Sequence, residues 1–139
     1  MRQKVVVFSQ IDSIILQKLK DRYEVACIDP KVGDVNQQIL KEVTDADGMI
    51  GAGRLLNESN LQSAKQLKVI STVSVGYDNY DLNYLNQQKI WLANTPYVLT
   101  ETTADLAFTL LMSAARQVTH LDAWTKKKKK KKTVGSAQF

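Results

Sequence analysis

Cysteine is nearly absent from this chain: Cys27 stands alone, so no internal disulfide can form. A reducing, cytoplasmic setting suits such usage. Histidine is as scarce, His120 being the only one, which leaves little material for a histidine-centred catalytic group. No His, Cys, Asp or Glu grouping has metal-ligand spacing, and no Walker phosphate-loop sequence occurs. Apolar runs are short. None approaches the length of a membrane span, and no signal-peptide hydrophobic stretch opens the sequence, so neither a membrane location nor secretion is expected.

What is present is the balance of a soluble globular domain, 44% hydrophobic and 24% charged over 139 residues. A chain of this size buries about two-thirds of the surface that it exposes when unfolded, so it needs no metal or disulfide to hold a core. The net charge of +5 is misleading. Seven of the 19 basic residues form one run, Lys126 to Lys132, leaving 12 basic against 14 acidic elsewhere. That run has no aromatic or arginine interleaving with which to stack on or read a base, so a nucleic-acid partner is not expected.

Strand-like and helix-like patterns alternate through the first hundred residues. Val5 to Phe8 is β-branched without polar alternation, as in a strand covered on both faces. Ser9 is a candidate cap for a helix carrying Ile11, Ile14, Ile15 and Leu19 at helical spacing. Tyr23 to Ile28 reads as a strand, and Asp34 caps a helix with Val35, Ile39, Leu40 and Val43 inward. Gly48 to Gly51 is a weaker strand, Asn57 to Leu67 a helix, and Val69 to Val73 a strand. Asp81 to Gln88 is a short helix with Leu82 and Leu85 inward, and Ile90 to Ala93 a fifth strand. Repeated βα units of this length predict an α/β fold, a doubly wound parallel sheet of flavodoxin-like form. Ligands then belong at the carboxyl ends of the strands. After Asn94-Thr95-Pro96 a longer helix follows, with Thr102 and Asp105 at capping-box spacing and Ala104, Ala107, Phe108, Leu111 and Ala115 on one face. Leu106 and Leu110 widen that stripe beyond what one neighbour covers.

The candidate sites are few. Gly51-Ala52-Gly53 lacks the third small residue of a dinucleotide loop, since Leu56 stands there. His120 has only Asp122 nearby, two residues on and off its helical face, so it reads as a surface histidine. Asp45 and Asp47 read as a solvated loop. Val73-Ser74-Val75-Gly76-Tyr77-Asp78-Asn79 follows the best strand, and two readings of it stand. Gly76 could turn the backbone so that its amides cradle a small carboxylate, or the stretch is an ordinary tight turn.

At two separated places the sequence resembles the D-isomer-specific 2-hydroxyacid dehydrogenases, in the branch of glyoxylate, hydroxypyruvate and 2-ketogluconate reductases. Val69 to Asn79 is similar to the substrate-loop strand of that family. Asn94 to Asp105, with the helix ending Ala114-Ala115-Arg116, is similar to its hinge and the first helix of its nucleotide-binding domain. The likeness runs from about Lys4 to Trp124, and Thr133 to Phe139 also looks familial. The run Lys126 to Lys132 replaces a stretch of mixed composition.

The resemblance implies residues 1–98 as a substrate-binding domain and 99–139 as the first helix and linker of a nucleotide-binding domain. It implies reduction of a small 2-oxo acid with NAD or NADP as cofactor. The backbone of Val75 and Gly76 would meet the substrate carboxylate, Arg54 would face the same cleft, and Thr103 would lie beside the cofactor. The glycine-rich phosphate loop and the catalytic arginine, glutamate and histidine of the family come later than Phe139. No catalytic residue is therefore assigned here, and the chain is expected to be an N-terminal part, inactive alone, of a parent for which the family suggests a homodimer. The other function class is a non-catalytic flavodoxin-like module that binds a small carboxylate or a protein partner.

Overall fold

A computed structural model describes residues 2–127; Lys128 to Lys132 and the tail 133–139 lie outside the described residues. The strands are β1 (Lys4–Val7), β2 (Glu24–Cys27), β3 (Gly48–Gly51), β4 (Val69–Thr72) and β5 (Trp91–Ala93). All pair in parallel, in the order β2-β1-β3-β4-β5. The helices are α1 (Ser13–Arg22), α2 (Val35–Glu42), α3 (Glu58–Leu61), α4 (Leu82–Gln88), α5 (Thr100–Ala115) and α6 (Val118–Lys127). The chain divides into two compact units between Tyr97 and Val98.

Register explains the core. Ala26, Val6, Met49, Ile70 and Leu92 are mutual partners across the five strands, one residue from each. Side chains alternate along a strand, so this row lies on one face, where it joins Ile39 of α2, Leu61 of α3 and Leu85 of α4 in a single apolar cluster. The next row, Val25, Val5, Gly48, Val69 and Trp91, lies on the other face. There Leu19 and Tyr23 of the α1 segment border a shallow groove with Val5, Gly48 and Val69. Exposure rises toward β5, from 40% at Val69 to 78% at Trp91.

Local chemistry sets the helix ends. Asp34 accepts from Gln37 N at 2.8 Å and Asp81 from Tyr84 N at 3.0 Å, each satisfying an orphan amide at a helix start. The cap of α1 is Asp12, which accepts from Ile14 N at 2.7 Å, and not Ser9. The Ser9 hydroxyl instead accepts from Ala52 N at 2.9 Å, a tertiary bond that outcompetes local capping. Ile14 and Ile15 point to solvent, and no residue of α1 is fully buried. The expected helix 57–67 ends at Leu61. Its apolar residues Leu61, Ala64 and Leu67 recur every third position, and the chain closes Ala64 N→Leu61 O and Leu67 N→Ala64 O turns to bury all three, the tighter spacing of 3-10 geometry. Leu82 is 41% exposed while Leu85 is buried, so α4 turns only the latter inward.

In the second unit, α5 begins at Thr100, which puts Thr102 inside the first turn. Its hydroxyl donates back to Leu99 O at 3.2 Å, and no side chain caps the helix. Leu106, Phe108, Leu110 and Leu111 are each more than half exposed. Among the described residues, no helix is long and apolar enough to cross a membrane.

The amino-terminal edge of the sheet is tied by charge. Asp47, half-buried rather than solvated, accepts from Lys4 N at 3.1 Å and pairs with Lys68 Nζ at 2.7 Å. Lys4 Nζ bridges Glu42 at 2.9 Å and Asp45 at 2.6 Å. Burial pulls the Lys4 ammonium down, and its hydrogen bonds to Asp45 and Glu42 outweigh that and hold it above its ordinary value. The hydrogen bond from Lys68 to Asp47 and that from Lys4 to Asp45 hold both carboxyls below theirs.

Two expectations follow. A carboxyl depressed in the folded state stabilises above its unfolded pKa, 3.8 here, and that stability disappears as pH falls through the lower folded value. Asp47→Asn should therefore flatten the acid limb of a urea-midpoint-against-pH curve, and an unchanged limb would contradict this role. Gly51 is required for packing, because a Cβ there would lie 2.6 Å from Phe8 Cδ2. Gly51→Ala should cost about 1–3 kcal/mol in chemical denaturation by overpacking.

Candidate substrate-binding edge

Parallel strands bring the loops after β1, β3, β4 and β5 to one edge. The loop after β4 is the most heavily anchored. Val73 N donates to Gly51 O at 2.9 Å, continuing the ladder one residue beyond the strand. The Ser74 hydroxyl donates to Gly76 O at 2.7 Å and lies 2.6 Å from the Thr72 hydroxyl. A hydroxyl has one proton, so Thr72 is the donor to Ser74, and a relay runs from buried Thr72 through Ser74 to the Gly76 carbonyl. Asn94 Nδ2 donates to Val75 O at 2.9 Å, and Thr95 N to Ser74 O at 3.0 Å.

Three successive carbonyls, of Ser74, Val75 and Gly76, are thus committed to the protein. The amides of Val75 and Gly76 have no acceptor among the described residues, and both residues are exposed. Exposed adjacent N–H groups without an acceptor among the described residues are the kind of donors that a backbone nest offers. Gly76 does not adopt a positive φ. A Cβ there would meet only Asp78 Oδ2, at 3.4 Å, so neither packing nor the backbone demands a glycine.

Below this loop, Tyr80 is buried. Burial raises its phenol above the ordinary value while the Thr72 hydroxyl pulls the other way. Thr72 is already committed to Ser74, and among the described residues the phenol oxygen has no hydrogen-bond partner. Leu56 N→Asn79 O at 2.8 Å and Asp81 N→Leu56 O at 3.1 Å clamp the β3 loop to the far end of the β4 loop.

Arg54 is half-buried in the β3 loop. It lines a crevice of about 550 Å³ together with residues after β1 and β2, and Val75 and Gly76 are not among its walls. Arg54 therefore shares an edge with them rather than a pocket. Thr103 sits in the first turn of α5, exposed, its N–H donating to Leu99 O at 2.9 Å, and belongs to the other unit. His120 is exposed in α6. Among the described residues, no group of three His, Cys, Asp or Glu could hold a metal. Sequence reasoning missed Thr72, Ser74 and Asn94. Their signal was hydroxyl and amide residues placed just at two strand ends.

The same arrangement has known relatives. Residues 5–135 match the model of the D-isomer specific 2-hydroxyacid dehydrogenase catalytic domain. A glyoxylate/hydroxypyruvate reductase B of Yersinia pestis (strain Pestoides F) is 35% identical over 139 residues, all of this chain and 43% of the relative. The TT0316 protein of Thermus thermophilus superposes with a TM-score of 0.75 at 32% identity, covering 96% of this chain and 43% of that one. An NADPH-dependent glyoxylate/hydroxypyruvate reductase of Sinorhizobium meliloti, solved with NADP and malonate, superposes with a TM-score of 0.70 at 25% identity. That match covers 91% of this chain and 39% of the reductase. The chain thus spans less than half the length of these relatives.

Ser74→Ala should remove the acceptor of Thr72 and the donor to Gly76 together. The expected cost is about 0.5–1.5 kcal/mol per lost bond, with faster amide exchange across 74–77. Unchanged exchange there would show that the relay does not hold the loop.

Proposed function

The chain belongs to the D-isomer-specific 2-hydroxyacid dehydrogenase family, and from that premise we propose that it supplies the substrate side of an NAD(P)H-dependent 2-oxo acid reductase. The observation that carries this is the pair of free amides at Val75 and Gly76, set on carbonyls that the protein has fully engaged. A 2-oxo acid presents a carboxylate of the size such a nest accepts. Fixing it there aligns the adjacent keto carbon with one face of the edge, so the chain's contribution is orientation and charge neutralisation.

The nicotinamide cofactor would supply hydride when bound, and the described residues do not form a site for its phosphates. Gly51-Ala52-Gly53 is a strand end whose Ala52 amide is spent on Ser9 and whose Leu56 is buried under Tyr80 pairing. It does not open a helix, as a dinucleotide loop does. Of this chain's residues only Thr103 is assigned to the cofactor's side, by likeness to the family. No proton donor is assigned, since His120 is exposed and no carboxylate among the described residues is bonded to it. The chain alone is proposed to be inactive, and its exposed α5 stripe to be covered by a second copy. A cytoplasmic setting fits its single cysteine.

The test is oxidation of NADH and NADPH with glyoxylate, hydroxypyruvate and 2-ketogluconate, offered to this chain alone and fused to the cofactor-binding portion of the Yersinia relative. Turnover only in the fusion is expected. Turnover by the chain alone would overturn the assignment, and silence in both would favour a carboxylate-binding module.

A further inference from the structure

Beneath the β4 loop lies a polar group that the proposed function leaves unused. Tyr80 is only 6% exposed and belongs to the main apolar cluster, and its phenol oxygen has no hydrogen-bond partner among the described residues. An unpaired buried hydroxyl destabilises the fold that holds it, whereas an apolar ring of the same shape would not. The backbone pins the residue in place. Tyr80 N donates to Tyr77 O at 3.0 Å, and residue 80 bridges Leu56 of the β3 loop.

The neighbouring Thr72 hydroxyl is the complement that the phenol lacks. Burial raises the phenol pKa and keeps it protonated, while the Thr72 hydroxyl is near enough to draw it the other way. The two nonetheless make no hydrogen bond. Thr72 gives its one proton to Ser74, and its oxygen keeps a lone pair for a donor. From Thr72 the hydroxyls continue through Ser74 to the Gly76 carbonyl. The Ser74–Gly76 bond closes the short stretch that carries the Val75 and Gly76 amides. A hydroxyl that accepts one bond donates a stronger next one. A bond from Tyr80 to Thr72 would therefore tighten both links above it.

We propose that Tyr80 is a positioning residue for the β4 loop, its phenol donating to Thr72 Oγ1 when an anion occupies the Val75 and Gly76 amides. This rests on the reading that those amides hold the substrate carboxylate. The free chain carries an unpaired phenol and the loaded chain pairs it, so occupancy of the loop and closure of the bond favour one another. Tyr80 is buried and touches no substrate atom. It acts through Thr72 and Ser74, and it sets affinity for the carboxylate rather than the chemistry of the keto group.

The test is an oxamate titration of the isotope-labelled chain, read at the Val75 and Gly76 amides and at the Tyr80 ring carbon Cζ, with urea midpoints of the free forms alongside. In the unaltered chain Cζ is expected to shift on the same isotherm as the two amides. Tyr80→Phe is expected to keep or raise the urea midpoint and to weaken oxamate binding about three- to tenfold, the worth of one neutral hydrogen bond. In a Thr72→Val background the same change should leave oxamate affinity alone, and a loss that persists there overturns the route through Thr72. A merely structural phenol would lower the midpoint on removal and leave affinity unchanged. Either result overturns the proposal while the proposed function stands, and so does a Cζ that stays still during the titration. If oxamate shifts neither amide, the function reading fails, and this inference with it.

Discussion

Parallel pairing is the constraint from which the rest follows. Because β1 to β5 all run the same way, every carboxyl end opens on one edge and every amino end on the other. Parallel strands cannot be joined by tight hairpins, so each connection must cross over and return. The loops at the carboxyl edge are therefore free to differ, and they are anchored by what their neighbours can donate. At β4 that anchoring uses the carbonyls of Ser74, Val75 and Gly76. Once those acceptors are engaged, the amides of Val75 and Gly76 remain as donors, with the exposed carboxylate of Asp78 nearby.

The two faces and the two edges divide the work. One register row, from Ala26 to Leu92, is buried against α2, α3 and α4 and carries the hydrophobic stabilisation. The amino-terminal edge is held by Lys4, Asp47 and Lys68, charges with no role at the opposite end. Gly51 stands where core and site meet. Its missing side chain admits the Phe8 ring, and its carbonyl receives Val73 N. A packing requirement and the anchoring of the β4 loop thus converge on one residue.

Much of this was legible in the sequence because it rests on local patterns. β-branched stretches announced β1 and β4, the alternation of strand-like with helix-like segments announced the other three strands, and Asp34 and Asp81 announced their helices. The misreadings share a cause, which is competition from partners distant in sequence. Ser9 has the chemistry of a cap but spends its oxygen on Ala52. Asp47 looks like a loop acid, yet the fold brings Lys68 and the Lys4 amide to it. The stretch after Leu61 repeats every three residues, a spacing that a helix reading absorbs too easily. At the site, Val75 and Gly76 were visible as a loop after a strong strand. Their support was not, since Asn94 and Thr95, just past β5, reach Val75 O and Ser74 O. Such groupings exist only after strands pair.

In the proposed function, the β4 loop presents two backbone amides to a substrate carboxylate. The most direct test is a crystal structure of the chain, fused to a cofactor-binding portion, with oxamate as a non-reducible 2-oxo acid analogue. Carboxylate oxygens are expected within about 3 Å of Val75 N and Gly76 N, at hydrogen-bond distance. An analogue ordered elsewhere, with those two amides facing only solvent, would contradict it.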